Sequence, residues 1–363
     1  MDSRRPSCLQ FWNVHEQCRY IYVFDVNDFD EATVAPFTWD VKRLCASLAL
    51  IGYQKALSDI EIRDIIAALA RSYAQQVARF VSTNDRDFAL TLANTEGAVL
   101  NVLRRARELT RVGLLNYDTE IKDGDRQFKI NKGSFEVTDV EKKKIEATLE
   151  EYYETIPSRK KRSKITYIVK DIVRRKGLGI GSAGLKLFSV LLEGETEALE
   201  NDIIIGMKVA QPSAAAKYVN DPKVAAYFKH EGHRTAISQR ALQAYADPFL
   251  GYSSLDGEGL FIQEISPYVA DLEWDELNDM DDILQMVESL GRCVAKIHCV
   301  SDVDSDQTLI TYSTEKAING VLDGRESEFV AYMVDFGENY AQCVRKDHTL
   351  FVDAFRNKMI AGI

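Results

Sequence analysis

RRKGLGIGSAGLKLFSVLLEG, Arg174 to Gly194, is the stretch whose reading decides the fold. Within it Gly179-Ile-Gly181-Ser182-Ala-Gly184 fits G-x-G-x-x-G. A dinucleotide-binding fold needs a strand before such a segment and a capped helix after it. Here the glycines run into LKLFSVLL, where Leu185, Leu187 and Val190 give strand character. A glycine-rich turn between two strands is therefore expected, not a βαβ unit.

Working outward, Ile165 to Val173 precedes the glycines as a strand, and IIIGMKVA (Ile203 to Ala210) and GLFIQEI (Gly259 to Ile265) come after them as two more. Strand-like segments joined by turns predict a small antiparallel sheet. Helical spacing lies on both sides of it. Val41, Leu44, Leu48 and Ile51 form one apolar stripe, and Ile62, Ile65, Ile66, Leu69, Tyr73 and Val77 form another behind a Ser58–Glu61 capping box. Asn116 to Val137 loses this pattern and reads as an irregular insertion, with a charged helix from Asp139 to Thr155 after it. Lys223 to Ala246 is helical again, as is the chain from Leu277 onward. The order is helices, sheet, helices.

Bulk properties narrow the function classes. The chain has 363 residues, 46% hydrophobic and 28% charged, which suits a large folded core. A net charge of −11 speaks against general nucleic-acid binding, because a phosphate backbone would be repelled. Cys8, Cys18, Cys45, Cys293, Cys299 and Cys343 contain no C-x-x-C pair and read as reduced thiols. No segment has the length and apolarity of a signal peptide or a membrane span, so a cytoplasmic protein without membrane partners is expected.

Glycines between strands let a backbone approach phosphates without a Cβ in the way, the arrangement protein kinases use over a nucleotide. The competing reading is a tight hairpin with flexible glycines. Lys208, in an otherwise apolar strand, must pair with an anion or emerge on a polar face. Its place after the glycine turn matches the lysine that holds α/β phosphates, and an exposed lysine at a sheet edge is the alternative. Gln263, Glu264 and Ile265 end the last strand, which in kinase-like folds leads into the hinge that meets adenine; an ordinary strand with a polar end would look the same. YIYVFDV, Tyr20 to Val26, reads as a buried strand that runs into Asn27, Asp28, Phe29, Asp30 and Glu31. If the strand continues, Asp28 and Asp30 point to one side and Asp25 to the other. Hard carboxylate oxygens at a strand end suit Mg²⁺, which takes one or two of them plus phosphates. A solvated acidic turn is the plainer reading. Asp335-Phe-Gly337 spells D-F-G, but its spacing with Phe329, Met333 and Tyr340 predicts a core-facing helix. SRKKRSK reads as a solvated basic face, and His298 as a helix-end residue.

Together, VFDVNDFDEA, PFTWDVKRLCASL, the Arg174–Gly194 stretch, IGMKVA, SQRALQAYADPFLGY and LGRCVAKIH resemble the bacterial domain of unknown function 2252 family. Those motifs are similar to kinase-like small-molecule (aminoglycoside-phosphotransferase-like) enzymes, but in a different order. The resemblance implies an α+β, two-lobed protein-kinase-like fold, circularly permuted. Residues 158–265 would form the small antiparallel sheet lobe, and 1–157 with 266–363 the larger helical lobe. It implies ATP and Mg²⁺ as ligands and an unidentified small-molecule acceptor. Gly179, Gly181, Ser182, Gly184 and Lys208 would serve the phosphates, Gln263, Glu264 and Ile265 the base, and Asp28, which resembles the aspartate of D-F-G, the metal, with Asp30 a second candidate ligand. Asp40 resembles the buried aspartate that braces a catalytic loop, and Glu231 is a candidate acid for Lys208. Family members carry G-D-x-H-x-x-N before the acidic strand, where this chain has LQFWNVHEQCRYIY with no aspartate between Ser3 and Tyr22. That departure implies nucleotide binding without the usual catalytic aspartate. A non-catalytic pseudoenzyme or binding module, or a truncated gene product, is the alternative.

Overall fold

The computed structural model describes residues 11–16, 19–83, 85, 87–176, 184–219, 221–301 and 307–360. Strand β1 (Phe11–Glu16) pairs antiparallel with β2 (Arg19–Phe24), which delivers the chain to the acidic segment. Helices α1 (Thr38–Gln54) and α2 (Asp59–Ser82) come next. The Ser58–Glu61 capping box is present at the start of α2, and the expected apolar stripe is its buried face. β3 (Leu90–Thr91) closes a three-stranded sheet on β2, ahead of α3 (Gly97–Glu108) and α4 (Arg111–Asp118).

The stretch 116–137 is not irregular. It holds the hairpin β4 (Thr119–Lys122) and β5 (Asp125–Phe128), then β6 (Ser134–Glu136). These strands are short and mostly solvent-facing, so alternation in the sequence is too brief to register. β6 is the edge of a six-stranded antiparallel sheet, and α5 (Asp139–Thr155) succeeds it in the chain. The sheet continues through β7 (Val169–Arg175), β8 (Leu187–Leu192) and β9 (Ile203–Val209). After α6 (Pro222–Tyr227) and α7 (Glu231–Leu242) come β10 (Gly251–Leu255) and β11 (Glu258–Glu264), giving the order β10-β11-β9-β8-β7-β6. The chain then runs through α8 (Met280–Cys299), α9 (Thr314–Leu322) and α10 (Glu326–Arg356).

Two principal cores organise these parts. Leu48, Ile66, Leu69, Val287, Leu290 and Met333 belong to one cluster, so helices from both ends of the sequence share a single interior. Gly291 allows a close backbone approach within it: a Cβ there would stand 2.7 Å from the Leu69 carbonyl oxygen of α2. The second core lies under the sheet, where Ile145, Leu149 and Tyr152 of α5 meet Ile205, Met207, Val209 and Ile262. Asp335-Phe-Gly337 lies inside α10, as its spacing predicted, with Met333 and Gly337 buried and Asp335 facing Arg63 at 3.5 Å, but Tyr340 of the expected stripe is 52% exposed. Among the described residues no helix is long and apolar enough to cross a membrane.

Candidate functional site

The acidic segment leaves β2 in a way strand alternation does not describe. Asp25 turns into the helical core, its Oδ2 2.5 Å from Nζ of Lys296 on α8. Both side chains are buried, and a carboxylate removed from water requires such a partner. Asp28 adopts φ 63°, in the left-handed region, and is exposed. Phe29–Glu31 then make one 3₁₀ turn with Phe29 buried. The strand has ended at Phe24, so Asp28 and Asp30 are not alternate positions of one strand. Asp30 instead reaches across to β9 and forms an ion pair with Nζ of Lys208.

Lys208 occupies a central strand, between Leu187 of β8 and Phe261 of β11 in register, and not a sheet edge. Its neighbours Met207 and Val209 point into the α5 core, which sends Lys208 to the opposite face. There it meets Asp30, 178 residues earlier in the chain, with roughly 70% of each side chain covered (29% and 28% exposed).

Helix α7 holds this arrangement from the side. Arg234, 4% exposed, donates from Nη1 to the Ala32 carbonyl at 2.5 Å and from Nη2 to the carbonyls of Asp30 (2.7 Å) and Gln211 (2.8 Å). Its Nε donates to Glu231 Oε2 at 2.6 Å. Glu231 is thus the partner of Arg234, and the acid beside Lys208 is Asp30. Ser213 Oγ donates to the Glu31 carbonyl (2.9 Å), the Ala214 N–H to Glu31 Oε2 (2.6 Å), and Gln243 Nε2 to the Val26 carbonyl (2.8 Å).

At the end of β11 the donors are already engaged. The Glu264 N–H bonds Asp247 Oδ2 at 2.6 Å, and the Ile265 N–H bonds the Ile204 carbonyl at 2.8 Å. The Glu264 carboxylate lies 2.9 Å from Arg111, and Gln263 lies 3.5 Å from Gln239. Burial, helped by the Glu264 charge, pushes the Asp247 carboxyl up to about 7, and burial raises Glu264 as well. Asp40 is not buried: its exposed carboxylate meets His298 Nε2 at 3.1 Å, while His298 Nδ1 meets the buried Tyr73 hydroxyl at 2.9 Å. Among the basic-run residues, Lys160 donates to the Ala246 carbonyl, Lys161 pairs with Glu154 and Arg162 with Glu195.

Gly179, Gly181 and Ser182 lie outside the described residues, whereas Gly184 ends that segment at φ 83°. Among the described residues no three His, Cys, Asp or Glu side chains form a ready-made metal cluster. Mg²⁺ does not require one, since phosphate and water oxygens complete its shell. Asp28 is exposed, and Asp30 is half-buried beside Lys208, so this segment offers hard carboxylate oxygens of the type Mg²⁺ takes. Two surface cavities lie away from this set. One of about 480 Å³ is bounded by α5 and the β7 and β8 ends, and one of about 580 Å³ by α2, α8 and residues 93–96. Neither includes Asp28, Asp30 or Lys208, and the last two are in direct contact with each other.

The sequence reading missed Arg234, Lys296 and Asp247. Lys296 had a usable signal, because it falls on the apolar stripe of α8 beside Cys293 and Ala295. Arg234 had little, because the buried face of α7 is itself polar.

Searches of curated proteins and of solved structures each returned no match. A scan of protein-family models matches residues 16–354 to the family described as "Uncharacterized protein conserved in bacteria (DUF2252)", and this chain belongs to that family.

Proposed function

We propose that this chain is a permuted, two-lobed, kinase-like protein that binds Mg²⁺–ATP between Lys208 and the acidic segment, in the service of phosphoryl transfer to a small molecule. The observation that carries the reading is the Lys208–Asp30 ion pair. A phosphate-binding lysine and a metal-binding carboxylate must converge on one triphosphate, and here they converge from distant parts of the sequence. Lys208 would take phosphate oxygens, and Asp30 with Asp28 would hold the metal, which supplies charge neutralisation between phosphates. Gly179 to Gly184 would cover the phosphates, as their place between β7 and β8 suggests. With the N–H groups of Glu264 and Ile265 engaged, the base would be read by other groups near Gln263.

A second reading is a nucleotide-binding pseudoenzyme. It is favoured by the lack of any aspartate between Ser3 and Tyr22, where the hydroxyl-activating residue would stand.

An ATP acyl-phosphate, which acylates amines lying against the bound phosphates, tests the site. Lys208 is the expected labelled residue, with labelling suppressed by excess Mg²⁺–ATP. Labelling spread over exposed lysines, or unchanged by ATP, would contradict the proposal. Turnover of the same preparation with candidate acceptors separates enzyme from pseudoenzyme.

A further inference from the structure

The two members of the Lys208–Asp30 pair belong to segments with no direct backbone pairing, so something must fix their separation. Helix α7 connects them. On one side it lies against the backbone of β11: a Cβ at Gly232 would overlap the Leu260 backbone, 2.3 Å from its carbonyl oxygen, and one at Gly259 would stand 2.9 Å from the Gly232 nitrogen. β11 in turn pairs with β9 at Phe261–Lys208. On the other side Arg234 bonds the carbonyls of Asp30 and Ala32, and by the Gln211 carbonyl also the turn that leaves β9. The path β9, β11, α7, Arg234, Asp30 and back to Lys208 is closed.

We propose that Arg234 is a positioning residue of this site, setting where the acidic segment stands relative to Lys208. The proposal rests on the Mg²⁺–nucleotide reading above. Several features single out Arg234 within α7. Its guanidinium is buried, it spends three donor contacts on backbone carbonyls, and two of those belong to the acidic turn. Backbone carbonyls carry no charge that would demand an arginine for pairing; the planar fork supplies geometry. The guanidinium charge is met by Glu231 in the same helix, so the brace is electrically self-contained and leaves the Asp30 carboxylate to Lys208 and the metal. A lysine at 234 would satisfy fewer of the carbonyls, because its donors radiate from one atom.

The test uses the full chain as wild type, Arg234→Gln and Arg234→Lys. ATP binding is measured with Mg²⁺ and with EDTA, and amide hydrogen exchange is monitored without nucleotide. For Arg234→Gln, affinity in EDTA should stay within about twofold, because Lys208 is intact. The gain in affinity on adding Mg²⁺ should fall by about tenfold, the scale of one charge-assisted hydrogen bond. Exchange should rise over residues 26–34 while α2 and β8 keep their protection, and Arg234→Lys should recover part of the Mg²⁺ gain. An unchanged Mg²⁺ gain, or equal loss of both affinities with a general loss of protection, would overturn the proposal. If wild type binds no ATP under either condition, the nucleotide reading fails by itself. Exchange over 26–34 then decides the brace, a local rise supporting it and no change overturning it. Should Arg234→Gln not fold, Arg234→Lys carries the same comparison with the charge retained.

Discussion

Asp28 holds a left-handed backbone that asparagine adopts about as readily as aspartate, while a β-branched residue does not. Asp28→Asn is therefore expected to keep folding stability within about 0.5 kcal/mol of wild type. Asp28→Val should cost about 1–2 kcal/mol. Urea titrations check both, and equal stability of the two variants would contradict the strain argument. The neighbouring Asp25–Lys296 pair makes a larger statement. Lys296→Met would leave a buried carboxylate without its cation and should cost about 3–5 kcal/mol. Adding Asp25→Leu should return part of that loss, because the uncompensated charge is gone. At this scale the sequence singled out Lys208 but left an edge lysine as an equal reading, and the central place of β9 decides between them. The resemblance put Asp28 first and Asp30 second, whereas it is Asp30 that meets Lys208. That choice depends on where β2 stops and on the turn at Asp28, and neither is written in the spacing of apolar residues.

Among the elements, those driven by apolar periodicity were legible and those driven by polar contacts were not. α2 shows its capping box and stripe outright. Ser58→Ala should cost about 1 kcal/mol, read in the same urea titrations, and no loss would mean the Glu61 carboxylate caps the helix alone. β8, β9 and β11 carry apolar runs and were legible for the same reason. α7 was folded into one long helical stretch, although residues 228–230 separate it from α6. Its buried face contains His233, Arg234 and Gln239, chosen to meet carbonyls and other amides, so it has no apolar stripe to detect. The β4–β5 hairpin and β6 were invisible because three or four residues cannot establish a period.

Over the whole molecule, the order of helices, antiparallel sheet and helices was readable, and the shared core of the two helical groups explains why they belong together. Stability of the whole should carry the mark of the buried acid at Asp247. The folded chain holds a proton there up to about pH 7, whereas an unfolded aspartate has released it near its ordinary value of 3.8. Its contribution is therefore complete in acid and is lost as pH rises through 7. His233, lowered to about 4 by burial, acts with the opposite sign: stability falls as pH drops from 6.5 toward 4. The Asp247 decline runs from about pH 3.8 to 7 and the opposing His233 rise from about 4 to 6.5, so the two overlap and are separated by substitution. Between pH 4 and 7 Asp247→Asn should make unfolding free energy rise more steeply, or fall less, with pH than in wild type, and a slope equal to wild type would contradict the assignment.

Lys208 and the acidic segment are proposed to hold a metal-bound nucleotide between them. Calorimetric titration of the full chain with Mg²⁺–ATP tests this most directly, run beside Lys208→Ala and Asp30→Asn. Wild type should show saturable one-site binding, weakened about tenfold or more in each variant, as for loss of a charged contact. Absence of binding by wild type, or equal affinity in all three proteins, would contradict it.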